Sequence, residues 1–141
     1  ETLAELRQLS RGIAPPVLVD RGLEAAIDET AARSAIPVTV YSSIPGKLPD
    51  HVEQAAYFVI SESLVNANKH SLATTIDLIT AVQDGWLYVT ITDDGMGGAS
   101  MAKGHGLAGL EERLQGVDGR LSVTSPTGGP TTIEAVIPCE S

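Results

Sequence analysis

Side chains able to bind a metal ion and phosphate recur at helical spacing near the middle of the sequence. An acid, an amide, an ammonium group and an imidazole lie three or four residues apart, or side by side: Glu62, Asn66, Lys69 and His70. Residues at such spacings can face the same side of an α-helix. Together they could hold a hydrated Mg²⁺ ion and phosphate oxygens. The alternative is an ordinary solvent-exposed face, on which Lys69 and His70 only complement the helix dipole.

A second stretch, Asp93-Asp94-Gly95-Met96-Gly97-Gly98, directly follows a predicted strand. A carboxylate at a strand end can accept a hydrogen bond from an exocyclic amine, such as that of adenine. The glycines let the backbone turn and let a flat ligand approach closely. A plain acidic turn and a calcium loop are the alternatives, but a calcium loop needs oxygen ligands at alternate positions and a closing Glu that this stretch lacks.

The third stretch, Gly104-His105-Gly106-Leu107-Ala108-Gly109, opens a predicted helix and formally matches the glycine pattern of dinucleotide-binding folds. Those folds need the glycines immediately after a strand and an acidic residue at the end of the next strand. Here some ten residues separate Thr92 from Gly104, and the next predicted strand ends in Ser125. The glycine-rich helix start still suits an anion such as a polyphosphate. The sequence contains no Gly-Lys-Ser/Thr loop, which excludes a P-loop enzyme.

Helices are needed to position the first and third stretches. Apolar periodicity predicts four of them, at 3–13, at 23–33, from about 51 to 70 and at 107–115. The first should end at Pro15-Pro16, because proline lacks a backbone donor and disfavours a helix in the residue before it. Asp50 should cap the third helix, which begins near His51.

Strands should hold the second stretch in place. Alternation of apolar and polar residues predicts five strands, at 37–42, 74–82, 86–92, 120–125 and 131–137. Asp84-Gly85, between two of these runs, is a strong hairpin signal. Helices interleaved with tight hairpins predict an α+β fold, a two-layer α/β sandwich whose mixed, mostly antiparallel sheet carries its helices on one face.

The composition indicates one folded domain. The chain has 141 residues, of which 43% are hydrophobic and 19% charged, enough to bury an apolar core. The formal charge of -9 argues against nucleic-acid binding, which depends on Lys and Arg. No apolar run approaches the about 20 residues of a membrane span, and Cys139 is the only cysteine, so we expect a cytoplasmic chain without membrane contact. Since the chain begins with Glu1, we expect a fragment of a longer protein, which could itself be membrane-anchored.

Taken together, the three stretches resemble the sequence boxes of the GHKL superfamily of ATPases and kinases. Residues 62–70 resemble its N box, 93–97 its G1 box and 104–110 its G2 box, in the family's order. The Asn-Lys-His ending of the N box and the run Gly-Leu-Glu-Glu-Arg after the G2 box resemble the nitrate-sensor-like subfamily of bacterial sensor histidine kinases. The resemblance implies the family's Bergerat fold over about Leu23 to Ile137. Residues 6–18 resemble the junction that leaves the subfamily's dimerisation helices, so we expect a division into 1–18 and an ATP-binding catalytic domain at 19–141.

The resemblance also implies roles for individual residues around Mg²⁺ and ATP. Asn66 would ligate the metal that bridges the phosphates, Glu62 would order a water or the metal shell, and Asp93 would bind the adenine amine. Asn66 and Glu62 are thus the implied catalytic residues, and residues 98–103 would form a mobile lid. The other implied nucleotide contacts are Lys69, His70, Gly95, Gly97, Gly104, His105, Gly106 and Leu107.

The implied reaction is transfer of the γ-phosphoryl group of ATP to a histidine. That histidine would lie on the dimerisation and phosphotransfer domain of the same protein, and a response regulator would act downstream. His51, His70 and His105 match no acidic-flanked phosphoacceptor motif, and His51 is expected at the surface. We therefore expect this chain to bind ATP without phosphorylating itself.

Three other functions fit parts of the pattern. A GHKL serine kinase of the anti-sigma-factor type fits the size, but residues 3–18 count against it. An ATP-gated clamp of the gyrase or chaperone type usually has a longer lid than 98–103. A degenerate nucleotide-binding or pure interaction module is disfavoured because the acidic, amide and glycine positions are intact.

Overall fold

A computed structural model of the chain shows helices packed on one face of a five-stranded sheet. It describes residues 16–71, 73–95 and 107–139. The expected first helix and most of the expected junction at 1–18 lie outside these residues, as do the expected lid and Gly104 and Gly106 of the third stretch.

The described helices are α1 (Pro16–Arg21), α2 (Leu23–Ala32), α3 (Asp50–Asn66) and α4 (Leu107–Gln115), and α3 runs on into a π-helical turn at Ala67–Ser71. The sequence prediction missed α1. Pro16 is its first residue. Proline is well tolerated there, because the backbone N–H of the first helical residue has no acceptor within the helix. Gly22 separates α1 from α2 with a φ of 94°, a value that glycine adopts readily. None of the helices that the structure describes combines the length and the apolar character needed to cross a bilayer.

The start of α3 differs from the expectation. Asp50 was predicted to cap the helix, but it is the first helical residue and Pro49 takes the capping position without a side-chain hydrogen bond. The Asp50 carboxylate instead accepts a hydrogen bond from Lys47 Nζ at 2.7 Å. The prediction was wrong because Lys47, three residues upstream, competes for the carboxylate. His51 is exposed, as expected.

The sheet has the order β1-β2-β3-β5-β4, with strands β1 (Val38–Ser43), β2 (Ile76–Gln83), β3 (Trp86–Asp93), β4 (Arg120–Thr124) and β5 (Thr131–Pro138). Only the β1–β2 pair is parallel. Asp84 and Gly85 form the β2–β3 turn with φ values of 55° and 82°, as the Asp-Gly signal predicted. This mixed, mostly antiparallel sheet confirms the predicted α+β class.

The core lies between the sheet and the helices, on one face of the sheet only. Alternate residues of β3 are buried, and α3 buries a stripe against them. Large apolar side chains that stay exposed on the opposite face include Tyr41, Ile79 and Trp86. The arrangement is the predicted two-layer sandwich, in which α3 contacts β3, β5 and α4.

Candidate functional site

The first candidate stretch lies at the end of α3 and in the π-helical turn. Glu62 and Asn66 occupy the last turns of α3 and are half-buried, whereas Lys69 is exposed and lies with the backbone of His70 in the π turn. A π turn is wider than an α turn and often marks a functional site. It also changes the direction of the residues that follow Asn66, so the α-helical spacing assumed for Lys69 does not hold there.

Asn66 and Ser63 carry the unsatisfied polar atoms of this helix. Within the part of the chain that the structure describes, Asn66 Nδ2 and Ser63 Oγ are buried without any hydrogen-bond partner. Leaving a buried polar atom unpaired costs about 1–3 kcal/mol. Such a cost is unusual in a folded protein and is typical of a position kept for a ligand. The Asn66 amide nitrogen is therefore a donor that no described group of the fold satisfies.

Asn68, two residues later, is saturated by the protein. Its Oδ1 accepts hydrogen bonds from the backbone N–H groups of Ala35 at 2.9 Å and Ile36 at 3.2 Å. Its Nδ2 donates to Ser34 Oγ at 2.9 Å and to the Leu64 carbonyl at 2.8 Å. Asn68 thus anchors the loop between α2 and β1, and the two asparagines of this stretch have different tasks.

Lys69 lies beside a cavity of about 430 Å³ between α2 and α3. The cavity is also lined by Arg33, Leu64 and Val65, and Asn66 is not among its lining residues. The structure therefore places Lys69 on the α2 side of the helix. It does not bring Lys69 and Asn66 into one described cavity, and the phosphate contact expected of Lys69 stays a prediction.

Asp93 ends β3 as a buried carboxylate, with only 6% of its surface exposed. Its Oδ1 accepts a hydrogen bond from the backbone N–H of Gly95 at 2.9 Å. Burial raises the pKa of Asp93 above its usual value, the bond from Gly95 lowers it and the charge of Asp94 raises it again. A carboxylate held in this way is a strong acceptor for an amine, because it has lost much of its hydration.

A residue that sequence reasoning missed lies opposite Asp93. The β3–β5 register pairs Asp93 with Thr131, which is buried and whose Oγ1 lies 2.6 Å from Ser125 Oγ. Thr131 thus places a residue with a hydroxyl group opposite Asp93, at the same end of the β3–β5 pair. Because β3 and β5 are not consecutive strands, only their predicted pairing could have revealed it.

The third stretch enters the described structure only at Leu107, the first residue of α4. Gly97, Gly104, His105 and Gly106 lie outside the described residues, so their expected contacts stay predictions. The helix that they precede packs beside α3, where the Arg113 guanidinium lies 4.5 Å from the centre of the Phe58 ring. The last turn of α4 is thereby tied to the helix that carries Asn66.

Among the described residues, no group of three or more His, Cys, Asp or Glu side chains is placed to hold a metal ion. A site without such a group can still bind a divalent cation through other ligands. An amide oxygen, water and the phosphates of a nucleotide form such a set for Mg²⁺, which keeps several waters when bound. The half-buried side chain of Asn66 carries an amide oxygen of this type.

Comparisons with known proteins point to one group. The chain is similar to the sensor histidine kinase MctS of Rhizobium johnstonii, with 30% identity over 147 residues that cover 96% of this chain and 32% of MctS. It is similar to the nitrate/nitrite sensor protein NarX of Escherichia coli, with 29% identity over 79% of this chain and 19% of NarX. The chain thus spans less than half of the curated relatives that it matches.

The fold comparison agrees with the sequence comparison. The histidine kinase domain of the blue-light activated kinase EL346 of Erythrobacter litoralis superposes with a TM-score of 0.65 and 26% identity. The match covers 82% of this chain and 62% of that domain. No protein-family model matches the chain.

Proposed function

We propose that this chain, which belongs to the sensor histidine kinase family and has the GHKL-type fold of its ATP-binding domains, binds Mg²⁺–ATP and donates the γ-phosphoryl group to a histidine. The acceptor would lie on the dimerisation domain of the same kinase, and a response regulator would take the phosphoryl group from it. We place the end of that domain and its linker at residues 1–18, the catalytic domain at 19–141, and the reaction in the cytoplasm.

The observation that carries the proposal is the buried carboxylate at the end of β3. Asp93 is 6% exposed and is bonded by a single described backbone N–H group. A fold gains no stability from a carboxylate whose pKa is raised by burial, so binding is the simplest reason for its presence. The exocyclic amine of adenine is a donor of suitable chemistry.

Asn66 supports the metal part of the proposal. Its amide nitrogen lacks a partner among the described residues, so no described hydrogen bond from that nitrogen fixes the amide group, and its carbonyl oxygen is the type of ligand that Mg²⁺ accepts. Bound Mg²⁺ would neutralise part of the phosphate charge. Glu62, one helical turn before Asn66, would order a water beside the ligated phosphates.

The remaining contacts belong to the backbone and to nearby cations. Lys69 and His70 would contact phosphate oxygens, and the N–H groups at the start of α4 would bind the same phosphates. Gly95, which is buried directly after Asp93 and Asp94, would leave space for the base. The glycine positions proposed to line the nucleotide are Gly95, Gly97, Gly104 and Gly106, with His105 and Leu107 beside them.

The reaction needs no covalent intermediate on this chain. A nitrogen of the acceptor imidazole forms a bond to the γ-phosphorus as the bond from that phosphorus to the bridging oxygen breaks, and ADP leaves. Catalysis of this step rests on positioning and on electrostatic stabilisation. The role of this chain is therefore to hold ATP in one orientation towards the acceptor.

Calorimetric titration with ATP in the presence of Mg²⁺ tests the proposal. We expect the wild-type chain to bind and Asp93→Asn to bind at least about 10-fold more weakly, because a hydrogen bond to a charged group contributes about 1.5–3 kcal/mol. Asparagine has the same shape and can keep the bond from Gly95. The loss would therefore report on the nucleotide contact.

Asp77→Asn is the matched control. Asp77 is an exposed carboxylate on β2 that pairs with Thr92, one register position from the Ile76–Asp93 pair. Asp77→Asn removes the same charge as Asp93→Asn without touching the proposed site. The affinity of this variant for ATP should therefore equal that of the wild type. Equal affinities in all three proteins would contradict the nucleotide site. Binding without transfer of the γ-phosphoryl group to the dimerisation domain of the full-length protein would contradict the kinase.

A further inference from the structure

Asp94 holds together two segments that are far apart in sequence. Its Oδ1 accepts hydrogen bonds from the backbone N–H groups of Thr74 at 2.7 Å and Thr75 at 3.0 Å. Its Oδ2 accepts a third bond from the Thr74 hydroxyl at 2.6 Å. Its own backbone N–H donates to the Thr75 carbonyl at 3.3 Å. We call these four bonds the Asp94 clasp.

The clasp favours the charged form of Asp94, although this side chain is exposed. The bonds from Thr74 and Thr75 lower the pKa of the Asp94 carboxyl to about 2. A carboxylate that receives several such bonds is stabilised in its charged form. Asp94 is therefore fully ionised at neutral pH, and both of its oxygens are engaged by the protein.

The clasp lies between the two elements that carry the proposed site, the end of α3 with Asn66 and the end of β3 with Asp93. Thr74 and Thr75 precede β2 and follow the π turn at the end of α3 by a few residues. Asp94 follows Asp93, and the last described β2–β3 pair is Ile76 with Asp93. The clasp extends this pairing by one step, at the point where the chain would otherwise separate.

We propose that Asp94 is a positioning residue that fixes Asp93 against the exit of the Asn66-bearing helix, and so sets nucleotide affinity without contacting the nucleotide. This inference rests on the proposed function. The two residues that follow Asp93 both restrain it, since the Gly95 N–H bonds its carboxylate and the clasp holds Asp94. Asp93 is the last paired residue of β3, so without the clasp the strand end would fray at that residue and its carboxylate would lose its alignment with the base.

Three variants of the chain distinguish the hydrogen bonds of the Asp94 side chain from its negative charge. Asp94→Ala removes the three side-chain bonds, and we expect ATP affinity to fall about 10-fold. Asp94→Asn keeps an amide oxygen for the two backbone N–H groups, so it should restore affinity to within about 3-fold of the wild type. Thr74→Val removes only the hydroxyl bond and should show a smaller loss, which gives a readout even if Asp94→Ala folds poorly.

Glu24→Ala is the matched control. The Glu24 carboxylate also joins distant segments, since its Oε2 accepts bonds from Ser42 Oγ at 2.7 Å and from the Ile44 N–H at 3.4 Å. Ser42 pairs with Thr80, four residues along β2 from Ile76. Loss of this carboxylate should lower the free energy of unfolding while leaving ATP affinity unchanged.

The decisive readout is a double-mutant cycle between positions 93 and 94. If Asp94 acts by positioning Asp93, then Asp93→Asn should weaken ATP binding much less in the Asp94→Ala background than in the wild type. Additive losses, an unchanged affinity of Asp94→Ala, or Asp94→Asn as weak as Asp94→Ala would each overturn the inference. Failure of the wild type to bind ATP would instead reject the proposed function, so the two failures are distinguishable.

Discussion

Asn66 and Asn68 offer a matched pair of substitutions with opposite expected effects. Both side chains are asparagines, two residues apart at the end of one helix. Asn68 makes four hydrogen bonds, to Ser34, Ala35, Ile36 and Leu64. The Asn66 amide nitrogen makes none among the described residues. Replacing each with alanine therefore removes structure in one case and a proposed ligand in the other.

The magnitudes follow from these bonds. A hydrogen bond contributes about 0.5–1.5 kcal/mol net, and the lower end applies where water can replace the lost partner. Three of the four Asn68 bonds lie at the surface, so Asn68→Ala should lower the free energy of unfolding by about 2 kcal/mol. Asn66→Ala removes a buried polar atom without a partner, so stability should change by less than about 0.5 kcal/mol or increase.

Two assays on each variant complete the test. Urea denaturation gives the free energy of unfolding and the m-value, which checks that the native state has kept its compactness. Titration with ATP, with and without Mg²⁺, gives the affinity of the folded protein. Asn68→Ala should bind like the wild type, whereas Asn66→Ala should lose most of the gain in affinity that Mg²⁺ provides.

The reasoning would be refuted by the reverse pattern. If Asn66→Ala unfolded as easily as Asn68→Ala and kept its Mg²⁺-dependent affinity, then the unpartnered amide would be a structural group. An equal loss of affinity in both variants would also count against the distinction, because it would make Asn68 part of the site.

Two further predictions concern carboxylates. Burial raises the pKa of Asp93 in the folded protein above the value near 3.8 that it has in the unfolded chain. The contribution of Asp93 to stability is therefore fully present at a pH below 3.8, where the carboxyl is protonated, and is lost as the pH rises through the pKa of the folded state. Without nucleotide, Asp93→Asn should accordingly raise the free energy of unfolding at pH 7, and the difference from the wild type should disappear in acid. Glu53 is buried and accepts bonds from Lys47 Nζ at 3.0 Å and the Leu48 N–H at 3.2 Å, so Glu53→Ala should cost about 2–3 kcal/mol in urea denaturation. Asp50→Ala, which removes an exposed partner of the same lysine, should cost nothing measurable.

The helices and strands were largely predictable, because apolar periodicity and turn residues specify them locally. The bounds of α4 and the Asp-Gly hairpin were confirmed, and the strand bounds differ by one or two residues. The errors occurred where a local rule has two outcomes. Proline can end a helix or begin one, and Pro16 begins α1. Asp50 could cap a helix or bind Lys47, and it binds Lys47.

The division of tasks within the candidate site was not predictable from spacing. Asn66 and Asn68 are chemically identical, and what separates them is the loop at Ser34 to Ile36, more than 30 residues away. The π turn was also missed, since it has no pattern in the sequence that distinguishes it from an α turn. The position of Thr131 opposite Asp93 depends on pairing between strands that are not neighbours along the chain.

The two consecutive aspartates at the end of β3 differ in the same way as the two asparagines, since the protein satisfies one of them and leaves the other poorly satisfied. Asp93 is buried, with a raised pKa, and Asp94 is exposed, with its pKa lowered to about 2. The fold stabilises the charge of Asp94 and destabilises that of Asp93. Asp93 and Asn66, the two residues proposed to contact the nucleotide and its metal, share the property that the described fold leaves a polar group of theirs poorly satisfied. The saturated neighbours, Asp94 and Asn68, hold in place the elements on which the first two lie.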